Sequence, residues 1–137
     1  MEQIIGHEKV KSILNKLIEE DKVGHAYLFV GKEGIGKKEM AICFAKKIMS
    51  QQGSLFHEAD FRIMTPDGNT MKVEQVRNLI DKIYLKPTHS QRKVFIIDDA
   101  EKMNDSAQNA LLKVLEEPPT YVTIILIVSN KDKIIKT

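Results

Sequence analysis

Cysteine is nearly absent from this 137-residue chain, where Cys43 stands alone. One thiol excludes an internal disulfide and any zinc site built from a cysteine cluster. Cys43 falls within a helical pattern on the side expected to be buried, so it reads as a packed thiol rather than a nucleophile. The four histidines, His7, His25, His57 and His89, are dispersed without metal-ligand spacing, and no metal site is expected. Charge imbalance is lacking too. Lys and Arg total 21 against 19 acids, and a net charge of +2 is too small to argue for nucleic acid by itself. There is no apolar run of bilayer length and no signal-peptide pattern, so the expected compartment is the cytoplasm, with no membrane partner. Internal repeats and low-complexity tracts are also missing. What is present is ordinary for a globular chain: 42% hydrophobic and 29% charged residues, enough for one domain with a real core.

The pattern along the chain alternates. Val10, Ile13, Leu14, Leu17 and Ile18 fall at helical spacing, which predicts an amphipathic helix over residues 7–20. After Gly24, the run "AYLFV" at 26–30 suits a strand buried on both faces. A glycine loop follows, and then a second helical stripe at Ala41, Phe44, Ala45 and Ile48. "SQQGSLFHEAD" is the least structured stretch, and a short strand is expected at 60–64 before the turn signal "PDGN". Val73, Val76, Leu79, Ile80 and Ile83 mark a third helix that ends before Pro87. "KVFIIDD" gives a strand at 93–98. Asn104 can cap a fourth helix with the stripe Ala107, Ala110, Leu111, Val114 and Leu115, and Pro118 and Pro119 forbid its continuation. The last strand is expected at 122–128. This alternation predicts an α/β fold, a parallel sheet between helices, with ligands at the carboxyl ends of the strands.

Three polar sets converge on that edge. The first is "GKEGIGKK", residues 31–38. Gly31, Gly34 and Gly36 allow backbone N–H groups to turn inward on a phosphate, the following helix adds its positive end, and Lys37 would reach the outer phosphates. The phosphate-loop pattern G-x-x-x-x-G-K-[ST] then breaks, because Lys38 stands where a hydroxyl should meet magnesium. Lysine has no acceptor and carries positive charge toward the metal's place. The second set is Asp98 and Asp99 at the end of an apolar strand, similar to a Walker B motif. Asp98 stands at the metal-organising position. Asp99 stands where hydrolytic P-loop ATPases carry Glu, and it is shorter by about one carbon–carbon bond, ~1.5 Å. A misplacement near 1 Å can cost on the order of a hundredfold in rate. The third set is Ser129 and Asn130, which can sense a terminal phosphate. Each set has a plainer reading: a glycine-rich turn without ligand, solvated acids at a strand end, and ordinary turn chemistry.

"SAQNALLKVLEEPP" at 106–119 is very similar to the corresponding helix of bacterial clamp-loader subunits. "IIGHEKVKSIL", "HAYLFVGKEGIGKK" and "KVFIIDDAEKMN" match the same family in order, over nearly the whole chain. Glu116 and Glu117 oppose the helix dipole, which fits a paired or interface feature better than a helix-stability choice. The resemblance implies an AAA+ P-loop NTPase fold, a three-layer α/β/α domain, with the first strand beside the fourth, then the third, then the second. Residues 1–137 are then expected to be the N-terminal nucleotide-binding-type domain of a longer protein. The fifth strand, the helical lid, the C-terminal collar and a Ser-Arg-Cys motif would lie beyond Thr137. Many relatives carry a four-cysteine zinc module after the loop helix, which this sequence lacks.

The family has ATP-hydrolysing motor subunits (gamma/tau) and a stationary delta-prime subunit whose nucleotide site is often degenerate. The departures at Lys38 and Asp99 resemble the stationary type. That type implies partners in a hetero-oligomeric ring (gamma/tau and delta), with the sliding clamp and primer-template DNA reached through the complex, as part of the DNA polymerase III holoenzyme. No cofactor would be required, though Gly31, Gly36 and Lys37 leave room for weak binding of ATP or ADP, and Asp98 would be a vestigial magnesium position. The alternatives are a motor subunit or other AAA+ ATPase that tolerates Lys38 and, more weakly supported, a phosphate-loop kinase.

Overall fold

The computed structural model describes residues 8–20, 23–31, 36–51, 60–66, 68, 70–87 and 92–129. In chain order the elements are α1 (Glu8–Glu19), β1 (Ala26–Val30), α2 (Lys37–Gln51), β2 (Phe61–Met64), α3 (Val73–Ile83), β3 (Lys93–Ile97), a single 3-10 turn (Ala100–Lys102), α4 (Asp105–Glu116) and β4 (Val122–Val128). The expected helix and strand positions hold to within a residue or two at their ends. The 3-10 turn was not anticipated.

Strand pairing is parallel throughout, in the order β1-β4-β3-β2. Ala26 lies beside Ile124, Val94 beside Thr123, and Phe61 beside Val94. Because strand side chains alternate in direction, this register divides the sheet into two apolar faces. Phe95, Ile97, Ile124 and Leu126 pack with Val76, Leu79 and Ile83 of α3 and with Ala107, Leu111 and Val114 of α4. Val94, Ile96, Ile125 and Ile127 pack with Leu14 and Ile18 of α1 and with Phe44, Ala45 and Ile48 of α2. The result is the expected three-layer α/β/α arrangement.

Local chemistry sets the element ends. The Asn104 side chain accepts the Ala107 N–H at 2.8 Å, satisfying one of the amides that open α4. The ammonium of Lys93, buried at the start of β3, donates to the Lys82 and Leu85 carbonyls at the close of α3. A cation there suits the negative end of the helix.

The structure corrects the expectation that β1 is buried on both faces. Tyr27 and Phe29 pack on Phe44, with ring centroids 5.1 and 6.3 Å away. Ala26, Leu28 and Val30 point to the other face and are exposed, Leu28 at 47% and Val30 at 46%. The reason is position in the sheet: β1 is at the edge, with one neighbouring strand among the described residues. Cys43 is half-buried against the α1/α2 face, a packed thiol as its helical position suggested. Glu116 and Glu117 are both exposed at the end of α4. Among the described residues no helix is long and apolar enough to cross a membrane.

Candidate functional site

Parallel strands all end at the same edge, and three of them deliver the polar sets to one cleft of about 500 Å³. At the end of β1, the Gly31 N–H donates to the Val128 carbonyl at 3.2 Å and carries the sheet one step into the loop. Gly36 has φ +83°, a left-handed conformation that an L side chain adopts only with strain. A Cβ there would find space, with only the Glu39 carboxylate oxygen at 3.9 Å, so the backbone angle rather than crowding calls for glycine. The Met40 N–H donates to the Gly36 carbonyl at 2.9 Å and closes the first turn of α2.

Lys37 then points back across the strand ends. Its ammonium donates to the Gly31 carbonyl and to Ser129 Oγ, the latter at 3.3 Å. Lys38, one residue on, points toward the strand side of the cleft. Its Nζ lies 3.7 Å from Asp98 Oδ2, a half-exposed ion pair across the place where magnesium would be organised.

Asp98 follows β3, and its N–H donates to the Met64 carbonyl at 2.9 Å. Its Oδ1 accepts the Asp99 N–H at 3.0 Å. Both carboxylate oxygens therefore face a donor of this chain. Asp99 adopts φ 50°, ψ 46°, a left-handed conformation that Asp tolerates better than most residues. This bend starts the 3-10 turn and turns the Asp99 carboxylate to Lys102, at 3.9 Å. The turn also presents Glu101, whose Oε2 accepts the Ser129 N–H at 2.6 Å. Ser129 is thus fixed at its backbone by Glu101 and approached at its hydroxyl by Lys37.

The cleft gathers Gly31, Gly36, Lys37, Lys38, Asp98, Asp99 and Ser129 at this one edge. Gly34 and Asn130 lie outside the described residues. Glu101 and Lys102 were missed by the sequence reading. Their parts depend on the left-handed bend at Asp99, which no local pattern announces. Among the described residues no group of three or more His, Cys, Asp or Glu is placed to hold a metal ion.

This fold and cleft have relatives. A gamma-subunit-related protein of DNA polymerase III from Thermotoga maritima superposes with a TM-score of 0.72 at 24% identity, over 89% of this chain and 41% of that one. The RuvB Holliday junction branch migration motor of the same organism gives 0.64 at 17% identity, over 96% and 41%. In sequence, the chain is 32% identical to DNA polymerase III subunit gamma of Buchnera aphidicola from Acyrthosiphon pisum, over 98% of this chain and 41% of the relative. It is 31% identical to subunit delta prime of Bacillus subtilis, over 94% and 44%. The chain spans less than half the length of these relatives. The family model described as DNA polymerase III, delta subunit, matches residues 6–137, and the chain belongs to that clamp-loader family of AAA+ P-loop architecture.

Proposed function

We propose that this chain is the nucleotide-binding-type domain, at the N-terminus, of a non-motor (stator) clamp-loader subunit of the delta-prime type. In this role it holds a neighbour in position within a ring of gamma/tau and delta subunits. That ring loads the sliding clamp onto primed DNA as part of the polymerase III holoenzyme, in the cytoplasm. A lid and a collar domain would complete the longer protein.

The observation that carries this reading is the Lys38–Asp98 pair at 3.7 Å. Phosphoryl transfer is almost entirely positioning and charge stabilisation, with the metal bridging phosphate oxygens. A cleft that sets its own ammonium on the metal-organising carboxylate has given up that component. Asp99, short by a methylene and turned to Lys102, weakens the water-polarising position as well. Relatives named gamma, tau and delta prime are about equally similar to the chain, so the stator assignment rests on this chemistry rather than on resemblance. The exposed Glu116 and Glu117, acids at the wrong end of a helix dipole, support an interface role for the α4 terminus.

The motor reading draws on Lys37, which keeps the phosphate-facing position beside Ser129. Turnover separates the two readings. The purified chain, alone and reconstituted with its ring partners and primed DNA, is assayed for phosphate release. The expected result is no ATP turnover by the chain alone. Turnover that Lys37→Ala abolishes would identify a motor.

A further inference from the structure

The P-loop architecture implies a magnesium ion between the loop and the strand-end carboxylate, and the residues present do not fit one. The loop position that should offer a hydroxyl is Lys38, which has no acceptor. Asp98 Oδ1 accepts the Asp99 amide and Oδ2 faces the Lys38 ammonium. Magnesium demands near-ideal octahedral oxygen coordination and gives up its waters reluctantly. Here it would meet one missing oxygen ligand and one fixed positive charge.

Lys37 and Lys38 share the cleft with three acids, Glu39, Asp98 and Asp99, and the last two are paired with lysines. Asp98 faces Lys38, and Asp99 faces Lys102. Lys37 differs from both lysines: its ammonium is bonded to neutral oxygens, the Gly31 carbonyl and the Ser129 hydroxyl, and among the described residues to no carboxylate. Beside it, the first amides of α2 have no acceptor within the helix. Gly36, in its left-handed conformation, sets the turn that starts that helix. An incoming phosphate group would thus meet one cation held by neutral oxygens, and a second that it can share with Asp98.

We propose that Lys38 takes the place of the divalent cation, so that the cleft binds the phosphate end of a nucleoside diphosphate or triphosphate as the metal-free anion. The proposal deepens the non-motor reading of the same cleft and rests on it: an internal ammonium can neutralise a bound phosphate but cannot supply the mobile, hydrated metal that hydrolysis uses.

The test is calorimetric titration of ADP into the full chain, once in magnesium chloride and once in EDTA, with phosphate release from ATP followed on the same samples. ADP should bind more tightly in EDTA than in magnesium chloride, where the metal complexes ADP and competes with the cleft for it. Lys38→Thr supplies the hydroxyl and removes the competing charge, and should make binding tighter in magnesium than in EDTA by about tenfold or more. Asp98→Asn frees Lys38 for the ligand and should leave binding in EDTA equal or tighter, with circular dichroism confirming the fold of both variants. Binding by the unsubstituted chain that needs magnesium would overturn the proposal. So would the absence of binding in both buffers, or loss of binding in Asp98→Asn. Magnesium-dependent binding without phosphate release sinks this proposal alone; phosphate release by the unsubstituted chain sinks the non-motor reading with it.

Discussion

β1 and β4 lie side by side, paired from Ala26–Ile124 to Val30–Val128, and both are apolar along their length apart from Thr123 in β4. Their surroundings differ. Every residue of β4 is buried, whereas β1 alternates between exposed and half-buried. β4 has a strand on each side and helices over both faces. Among the described residues, β1 has one strand beside it and helix packing on the Tyr27–Phe29 face alone. Burial therefore comes from what the topology places around a strand, and an apolar run records only that the strand could be buried. The open side of an edge strand also leaves outward-facing backbone groups available for pairing.

A pair of truncations measures how differently the two strands are covered. Ile125→Ala, fully buried between β1 and β3, should lose about 2–5 kcal/mol of stability. Leu28→Ala, of similar size but 47% exposed, should lose under ~1 kcal/mol. Urea denaturation of both variants gives the difference, and equal losses would mean that β1 is covered in solution. Next in size is Thr123→Val. The Thr123 hydroxyl donates to the Gly24 carbonyl at 2.9 Å and accepts from Arg92 at 2.8 Å, which ties β4 to the chain entering β1. Keeping the shape and deleting the hydroxyl should cost about 1–2 kcal/mol, because partners are left behind in a buried place. A neutral result would show that water replaces the hydroxyl.

The smallest effect belongs to Lys93 in β3. Burial holds its ammonium pKa below the usual lysine value, against a pull upward from Asp60 and with a smaller push downward from Arg62. The folded chain then releases this proton more readily than the unfolded one. Stability should be flat with respect to this group below the lowered pKa and should rise with pH up to the ordinary value of 10.5. Urea midpoints across that alkaline window should climb for the unsubstituted chain relative to Lys93→Met. An opposite trend would mean that the bonds to the α3 carbonyls outweigh burial.

Periodicity and turn residues placed every helix and strand because those signals are local: a stripe at helical spacing, a cap at Asn104, a stop at Pro118. The strand order was not legible in them and came from the family resemblance. The apolar run of β1 suggested burial on both faces and so missed its exposed side, whereas the family's strand order had already placed β1 at an open edge. Local signals fell short at the cleft too. The sequence identified Lys38 as out of place but could not show that its ammonium would lie across Asp98, 60 positions further on in the numbering (98 − 38). Glu101 and Lys102 joined the site only through the bend at Asp99, where a side chain's role is decided by its backbone angle.

That bend bears on how this site could change over generations. A Glu at position 99 would enter a left-handed backbone that costs an ordinary L-residue roughly 1–2 kcal/mol and that Asp adopts more readily than most residues. The same bend places Glu101 against the Ser129 amide and Lys102 against Asp99. A longer acid at this position would be placed among contacts set by the same bend, with Lys38 still opposite Asp98. On the non-motor reading, the first step toward a longer acid therefore costs stability before any other change is in place.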